Sequence, residues 1–160
     1  MNRADHIAVF KVTEDGARPA HDRLLLPEWT HGDWNKLFNR TRAQAYRVSE
    51  VVIKRGDTDR SLFFVTSGSL EVGITQVDGV SIAPLAKITA GSIIGEQSFF
   101  DGQPRSANVW GVSDGEVLKL EYDDFDQFTR EEITLGRDLV FALARVLSSR
   151  LRNTTFRVRR

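Results

Sequence analysis

The sequence predicts a mainly β fold, a jelly-roll β-barrel (double-stranded β-helix) flanked by one N-terminal helix and by C-terminal helices. Three observations predict it. Short apolar segments separated by glycine turns recur through the middle of the chain, as in barrels and sandwiches. A capped amphipathic segment precedes them from Thr30, and apolar residues at helical spacing follow from about Glu132.

The predicted strands are short and end at turn residues. They lie at residues 51–53, 62–65, 70–74, 83–88, 107–112 and 116–122. In 70–74, apolar Leu70, Val72 and Ile74 alternate with small or polar residues, which is the period of a half-buried strand. Arg55-Gly56-Asp57 and Ser67-Gly68 predict turns, and Asp78-Gly79 predicts a hairpin.

Helix signals flank the strands on both sides. Thr30 is a predicted N-cap with Asp33 at the capping-box position. Asp123 is a predicted cap for the first C-terminal helix. The longer helix that follows carries one apolar stripe, made of Leu135, Leu139, Val140, Leu143, Val146, Leu147 and Leu151. The segment 6–12 has mixed character, and residues 14–16 predict a turn.

These signals divide the chain into two parts. Residues 1–29 are an N-terminal extension, and residues 30–160 form one domain. Within that domain we expect the barrel at about 47–122 and the C-terminal helices at about 123–156.

Composition and motifs exclude several classes of function. The chain has no cysteine, and its three histidines (His6, His21 and His31) all precede the barrel, which argues against a metal site on the strands. It lacks a nucleophile elbow, a Walker A loop and a dinucleotide fingerprint. We therefore expect no catalytic residue, no metal and no cofactor. Since no secretion signal or membrane-spanning segment is evident, a cytoplasmic protein is expected.

Charge is unevenly distributed although the net charge is zero. Residues 136–160 contain seven arginines and one acidic residue, a balance of +6. A basic tail of this kind suits nucleic acid, anionic lipid or an acidic protein surface. A solvated helix face is the simpler interpretation, and a nucleic-acid partner is not expected.

One segment, residues 91–109, departs from the strand pattern. A short helical turn after Gly95 would expose unpaired backbone N–H groups, which suit a phosphate. Arg105 adds a planar fork of donors that matches phosphate oxygens. Glu96 is suited to accept a hydrogen bond from a sugar hydroxyl. The combination indicates a nucleotide that presents phosphate and ribose together.

Gly95-Glu96 followed by Arg105-Ser106-Ala107 resembles the phosphate-binding cassette of cyclic-nucleotide-binding domains. That family includes catabolite activator proteins, cyclic-nucleotide-gated channels and kinase regulatory subunits. Gly56, Gly68 and Asp124-Phe125 are supporting landmarks. The resemblance covers roughly residues 30–151.

The resemblance implies a role for each matched position. Gly95 would let the backbone approach the ligand, and Glu96 would hold the ribose 2′-hydroxyl. Arg105 would pair with the cyclic phosphate, and Ser106 would donate to a phosphate oxygen. The expected binding residues are Gly95, Glu96, Gln97, Ser98, Arg105, Ser106 and Ala107. Gln97 and Phe99 depart from the family pattern, which usually has an aliphatic residue and a leucine there.

The resemblance also implies a sensor and not an enzyme. We expect a cyclic nucleotide ligand, cyclic AMP in preference to cyclic GMP, and a relay through the C-terminal helix to an unknown protein effector. Phe141 and Arg150 are the expected lid residues, with Phe156 a further candidate for the lid or for a homodimer. Arg150 would either extend to water or reach the ligand. Two alternatives remain open: a transcription-regulator fragment without its DNA-binding domain, and a binding-dead structural or interaction module.

Overall fold

The computed structural model describes residues 2–11, 22–75 and 82–158. It contains two compact units, a strand unit (Thr41–Tyr122) and a helical unit made of Met1–Arg40 and Asp123–Arg160. The predicted turn at residues 14–16 and the predicted Asp78-Gly79 hairpin lie outside the described residues. The predicted fold class is confirmed.

The strand unit consists of two four-stranded antiparallel sheets, as in a jelly roll. Its strands are β1 (Arg42–Tyr46), β2 (Val51–Ile53), β3 (Leu62–Ser67), β4 (Ser69–Thr75), β5 (Ile82–Thr89), β6 (Ile93–Ile94), β7 (Asn108–Gly111) and β8 (Gly115–Leu120). One sheet has the order β1-β8-β3-β6, and the other has the order β2-β7-β4-β5. The six predicted strands are all present.

Strand β1 lies just before residue 47, where the barrel was expected to begin. Its sequence, Arg-Ala-Gln-Ala-Tyr, has little apolar pattern, and Tyr46 is its one buried residue. Pairing with β8, from Arg42 opposite Lys119 to Tyr46 opposite Gly115, makes it a strand. Such pairing across the chain is not visible as a local pattern.

The core of the strand unit lies between the two sheets. Strand β3 is buried from Leu62 to Thr66 because β8 and β6 pair with its two edges. The cluster consists of Tyr46, Ile53, Phe63, Val65, Leu70, Ile88, Ile94, Val109 and Val117. Full burial of one such large apolar side chain contributes about 1.5–3 kcal/mol. This cluster holds the two sheets together, and the sheets in turn position the connecting loops.

The described residues contain the helices α1 (Arg3–Phe10), α2 (His31–Phe38), α3 (Glu96–Asp101), α4 (Tyr122–Glu131) and α5 (Ile133–Val158). The segment expected to be mixed is largely helix α1, which Asn2 and Asp5 start with a capping box. Phe10 fixes α1 against α2 through ring contacts with Trp34 at 5.4 Å and Phe38 at 5.7 Å. No helix in the described ranges is long and apolar enough to cross a membrane.

The predicted cap of α2 is confirmed. The Thr30 hydroxyl accepts from the Asp33 backbone N–H, and the Asp33 carboxylate accepts from the Thr30 backbone N–H. Hydrogen bonds from Thr30, above all from its side chain, hold the pKa of Asp33 below its usual range.

The apolar stripe of α5 is only partly buried. Leu139, Leu143 and Val146 are buried as predicted, but Val140 is 37% exposed and Leu151 is 69% exposed. The predicted stripe was therefore too wide. Helical spacing identifies which residues share a face, whereas burial depends on how far the neighbouring elements extend.

Two glycines with positive φ allow a matched test of the strand unit. Gly68 has φ +76°, and a Cβ there would lie 2.5 Å from the Asp114 carbonyl oxygen. Gly56 has φ +88° but no heavy atom within 4 Å of such a Cβ. We expect Gly56→Ala to cost about 1–2 kcal/mol of unfolding free energy through the left-handed backbone alone. Gly68→Ala should cost roughly 1–3 kcal/mol more through the clash. Urea unfolding measures both, and equal losses would contradict the close approach.

Candidate functional site

The connection from β6 to β7 carries the predicted cassette. Gly95 has φ +86° and precedes helix α3, and Gly102 has φ +68° and follows it. A Cβ on Gly95 would lie 2.6 Å from Nη1 of Arg105 and 2.9 Å from the Ser61 carbonyl oxygen. Position 95 therefore requires glycine for both backbone conformation and space.

The Arg105 side chain lies against the start of α3, and Arg105 is only 4% exposed. Its Nη2 donates to Oδ2 of Asp59 at 2.6 Å and to the Ser61 carbonyl oxygen at 2.7 Å. Its Nη1 donates to the Gly95 carbonyl oxygen at 2.9 Å. A buried guanidinium is thus fixed between the start of β3 and the start of α3.

The backbone of Arg105 is fixed as well. Its N–H donates to the Asp57 carbonyl oxygen at 2.8 Å, and its carbonyl oxygen accepts from the Gly56 N–H at 2.9 Å. The loop between β2 and β3 therefore holds the end of the cassette through main-chain and side-chain contacts. Gly56, one of the landmarks of the family resemblance, therefore contacts the cassette directly.

One donor nitrogen of the guanidinium has no hydrogen-bond partner among the described residues. Nε of Arg105 is buried and makes no hydrogen bond to any described residue. A buried N–H without an acceptor is costly, and most such groups in folded proteins are satisfied. A cationic donor of this kind is suited to an anionic oxygen acceptor.

The ion pair of Arg105 and Asp59 continues into a network with Lys119, Ser61 and Glu121. Lys119 lies 2.9 Å from Glu121 and 3.8 Å from Asp59. The buried Ser61 hydroxyl lies 2.8 Å from both carboxylates, so its single hydrogen serves one of them at a time. A hydrogen bond from Lys119 is the largest cause that lowers the pKa of Glu121.

The pKa of Asp59 is also lowered. Partial burial acts in the opposite direction and is the largest single effect. Hydrogen bonds from Arg105 and Ser61, together with the charge of Lys119, outweigh it. The Asp59 carboxylate is therefore stabilised in its ionised form by the site.

The remaining predicted residues lie on α3 and just before β7. Glu96 and Ser98 are buried, at 6% and 3% exposure, and Gln97 is exposed. The Ser106 hydroxyl donates to Oε1 of Gln97 at 2.6 Å, and Ala107 is half-buried. The seven expected binding residues thus all lie in the connection from β6 to β7, and Gly95 among them contacts the Arg105 guanidinium.

The expected lid residues belong to the helical unit. Arg150 is half-buried, and its Nη2 lies 4.0 Å from Oδ2 of Asp22. The Arg150 side chain therefore extends only partly into water, because its guanidinium faces the carboxylate of Asp22. Phe141 is 67% exposed. The side chain of Phe156 lies outside the described residues.

Sequence reasoning missed Asp59 and Ser61, which together hold Arg105. Asp57 and Asp59 both follow the Gly56 turn, and no local pattern distinguishes them. Asp59 contributes its carboxylate to Arg105, whereas Asp57 contributes its backbone carbonyl. Within the described ranges, no group of three potential metal-ligating side chains occurs.

The lowered pKa of Asp59 gives a pH-dependent prediction. A carboxylate with a lowered folded-state pKa adds stability above its unfolded pKa, and that stability is lost as pH falls through the folded-state value. Asp59→Asn should therefore destabilise the protein most near neutral pH, and the difference from wild type should shrink below about pH 4. Urea midpoints across pH measure this, with Asp57→Asn as the control on the same loop. A difference between wild type and Asp59→Asn that stays constant with pH would contradict the assignment.

Residues 43–132 match the family model described as "Cyclic nucleotide-binding domain". The cAMP-activated global transcriptional regulator Vfr of Pseudomonas aeruginosa is 27% identical over 136 residues, which cover 82% of this chain and 60% of Vfr.

Solved structures show the same fold. A cyclic nucleotide-binding domain from Methylobacillus flagellatus KT has a TM-score of 0.79 at 22% identity, covering 97% of this chain and 81% of that one. The catabolite activator protein of Thermus thermophilus has a TM-score of 0.71 at 26% identity, covering 81% of this chain and 58% of that one.

The chain spans about 60% of the length of the two regulators, Vfr and the Thermus protein. The matched family is a nucleotide-sensing regulatory domain and not a catalytic one. Its model covers the whole cassette, from Gly95 to Ala107, and the strands that carry it. This chain belongs to the cyclic nucleotide-binding domain family.

Proposed function

We propose that this protein binds cyclic AMP in preference to cyclic GMP and relays its occupancy through α5 to a protein effector. One observation above all others supports Arg105 as the residue that binds the phosphate. The buried Arg105 guanidinium retains an Nε–H without a partner among the described residues, beside the glycine that opens α3. A cyclic phosphate supplies the anionic oxygen that this donor lacks.

Glu96 supports recognition of the ribose. It is the first residue of α3, next to Gly95, and it is 6% exposed. A carboxylate at this depth would accept a hydrogen bond from the ribose 2′-hydroxyl while the phosphate lies against Arg105. Because Gly95 has no side chain, the Arg105 guanidinium packs directly against it, beside the position that we propose for the sugar-phosphate.

Ser106 and Gln97 support a second phosphate contact. The Ser106 hydroxyl uses its hydrogen in the bond to Gln97, so the amide group of Gln97 becomes the adjacent donor. The preference for cyclic AMP draws on the likeness to Vfr, whose name describes it as cAMP-activated.

The effector surface that we propose is the exposed side of α5. Ile133, Phe141 and Leu151 of this helix are large apolar side chains that are 75%, 67% and 69% exposed. Exposed Arg145 and Arg152 lie on the same helix and favour an acidic partner surface. A second copy of this chain is the alternative occupant, and sedimentation over a range of concentrations distinguishes a homodimer.

Arg105 is expected to dominate affinity. Removing one side of a buried charged pair costs about 2–5 kcal/mol, so Arg105→Ala should weaken cyclic AMP binding by roughly thirtyfold or more. Calorimetry against cyclic AMP, cyclic GMP and cyclic di-GMP at one salt concentration tests both the role of Arg105 and the preference for cyclic AMP. Arg55→Ala is the control, because Arg55 is an exposed arginine on the loop after β2. A loss of tenfold or less, or tighter binding of cyclic GMP, would refute the corresponding part of the proposal.

The relay predicts a change in α5. Saturating cyclic AMP should slow hydrogen exchange at amides between residues 139 and 151, as well as in the cassette, because occupancy stabilises the helix that transmits it. Arg105→Ala at the same ligand concentration should remove both effects. Protection confined to residues 95–107 would show that α5 is a scaffold and would contradict the relay.

A further inference from the structure

Arg60 lies between the two residues that hold Arg105, yet it contacts the opposite end of α3. Its Nε donates to the Phe99 carbonyl oxygen at 3.0 Å, and its Nη2 donates to the Phe100 carbonyl oxygen at 3.2 Å. A Cβ on Gly102 would lie 3.7 Å from the Arg60 Cζ. The guanidinium therefore covers the last turn of α3.

These two hydrogen bonds satisfy carbonyl oxygens at the end of α3 that have no donor within the helix. The last carbonyl groups of a helix have no partner within it. In α3 the Ser98 carbonyl oxygen accepts from the Gly102 N–H at 2.9 Å, which leaves the Phe99 and Phe100 carbonyls to Arg60. The planar fork of an arginine suits two neighbouring acceptors, whereas a lysine presents a single point charge.

An aromatic ring fixes the orientation of the fork. The Arg60 Cζ lies 3.6 Å from the centroid of the Tyr122 ring, within the range of a cation–π contact. Phe99 of α3 packs against the same ring at 5.4 Å. Arg60, α3 and Tyr122 thus form a closed set of contacts in the strand unit.

The segment Asp59-Arg60-Ser61 therefore holds both ends of the cassette. Asp59 and the Ser61 carbonyl fix Arg105, which bonds the Gly95 carbonyl at the start of α3. Arg60 fixes the other end. Since an isolated helix of six residues has little stability of its own, the position of α3 depends on contacts from outside it.

We infer that Arg60 is a positioning residue for the nucleotide site: it holds α3 at the angle that places Glu96 against the ribose. This inference rests on the nucleotide site proposed above. Arg60 does not touch the ligand in this scheme and acts through the helix that carries Glu96. Its loss is therefore expected to weaken the ribose contact more than the phosphate contact.

The experiment compares Arg60→Ala and Arg60→Lys with Arg55→Ala, which removes the same charge from an exposed site on the same loop. Calorimetry is done with cyclic AMP and with 2′-deoxy cyclic AMP. Arg60→Ala should weaken cyclic AMP binding by about tenfold and the 2′-deoxy ligand by about threefold or less, a difference of ~0.7 kcal/mol. Arg60→Lys should recover only part of the loss, because it lacks the fork.

Hydrogen exchange without ligand gives the independent readout. In Arg60→Ala the amides of Phe99 and Gly102, both hydrogen-bonded within α3, should exchange faster, while the amides of β3 keep their wild-type rates. The inference would be overturned if Arg60→Ala bound cyclic AMP as tightly as Arg55→Ala does. It would also be overturned if Arg60→Ala lost the same affinity for cyclic AMP and for 2′-deoxy cyclic AMP and its amides exchanged faster throughout the strands. Wild-type protein that binds neither ligand would instead refute the proposed function.

Discussion

The buried charge of Arg105 is the constraint on which the site depends. A guanidinium that is 4% exposed must be surrounded by acceptors, because an uncompensated buried charge costs several kcal/mol. Asp59 and two backbone carbonyls supply those acceptors. The need to place them explains the glycine at 95, the close approach of Ser61 and the path of the loop before β3.

The same network sets the electrostatic background for an anionic ligand. Arg105 and Lys119 carry two positive charges, and Asp59 and Glu121 carry two negative ones, so the cluster is neutral without a ligand. The phosphate that we propose for this site would therefore compete with Asp59 for the guanidinium and would gain less than from an isolated arginine. The affinity for the proposed ligand would then depend on Asp59 as well as on the residues that touch the ligand.

The helical unit is organised by a different balance of forces. Ion pairs from Lys36 to Glu132 and from Arg40 to Glu131 connect α2 to the junction of α4 and α5. At that junction a Cβ on Gly136 would lie 2.9 Å from Thr129, so the backbones approach closely. Exposed ion pairs of this kind contribute little stability, and the buried aromatic contacts around Trp34 contribute more.

Much of the fold followed from local patterns. Period-two segments and glycine turns predicted six strands, Thr30 and Asp33 predicted the cap of α2, and the broken pattern after Gly91 predicted the helical turn of α3. These features are encoded within a few residues of one another, so they are visible along the chain. The resemblance at Gly95, Glu96 and Arg105 added the family.

Other features were decided by tertiary structure alone. Strand β1 exists because β8 pairs with it, and Leu151 is exposed although its spacing matches the buried residues of α5. Asp59 and Arg105 are 46 positions apart in the sequence, and Arg60 and Phe99 are 39 positions apart, yet each pair is hydrogen-bonded. No periodicity distinguishes Asp59 from Asp57, because both follow the same turn. The sequence alone determined six strands, the cap of α2 and the family resemblance of the cassette. Strand β1 and the partners of Arg105 and of α3 depend instead on which distant segments the packed sheets bring together.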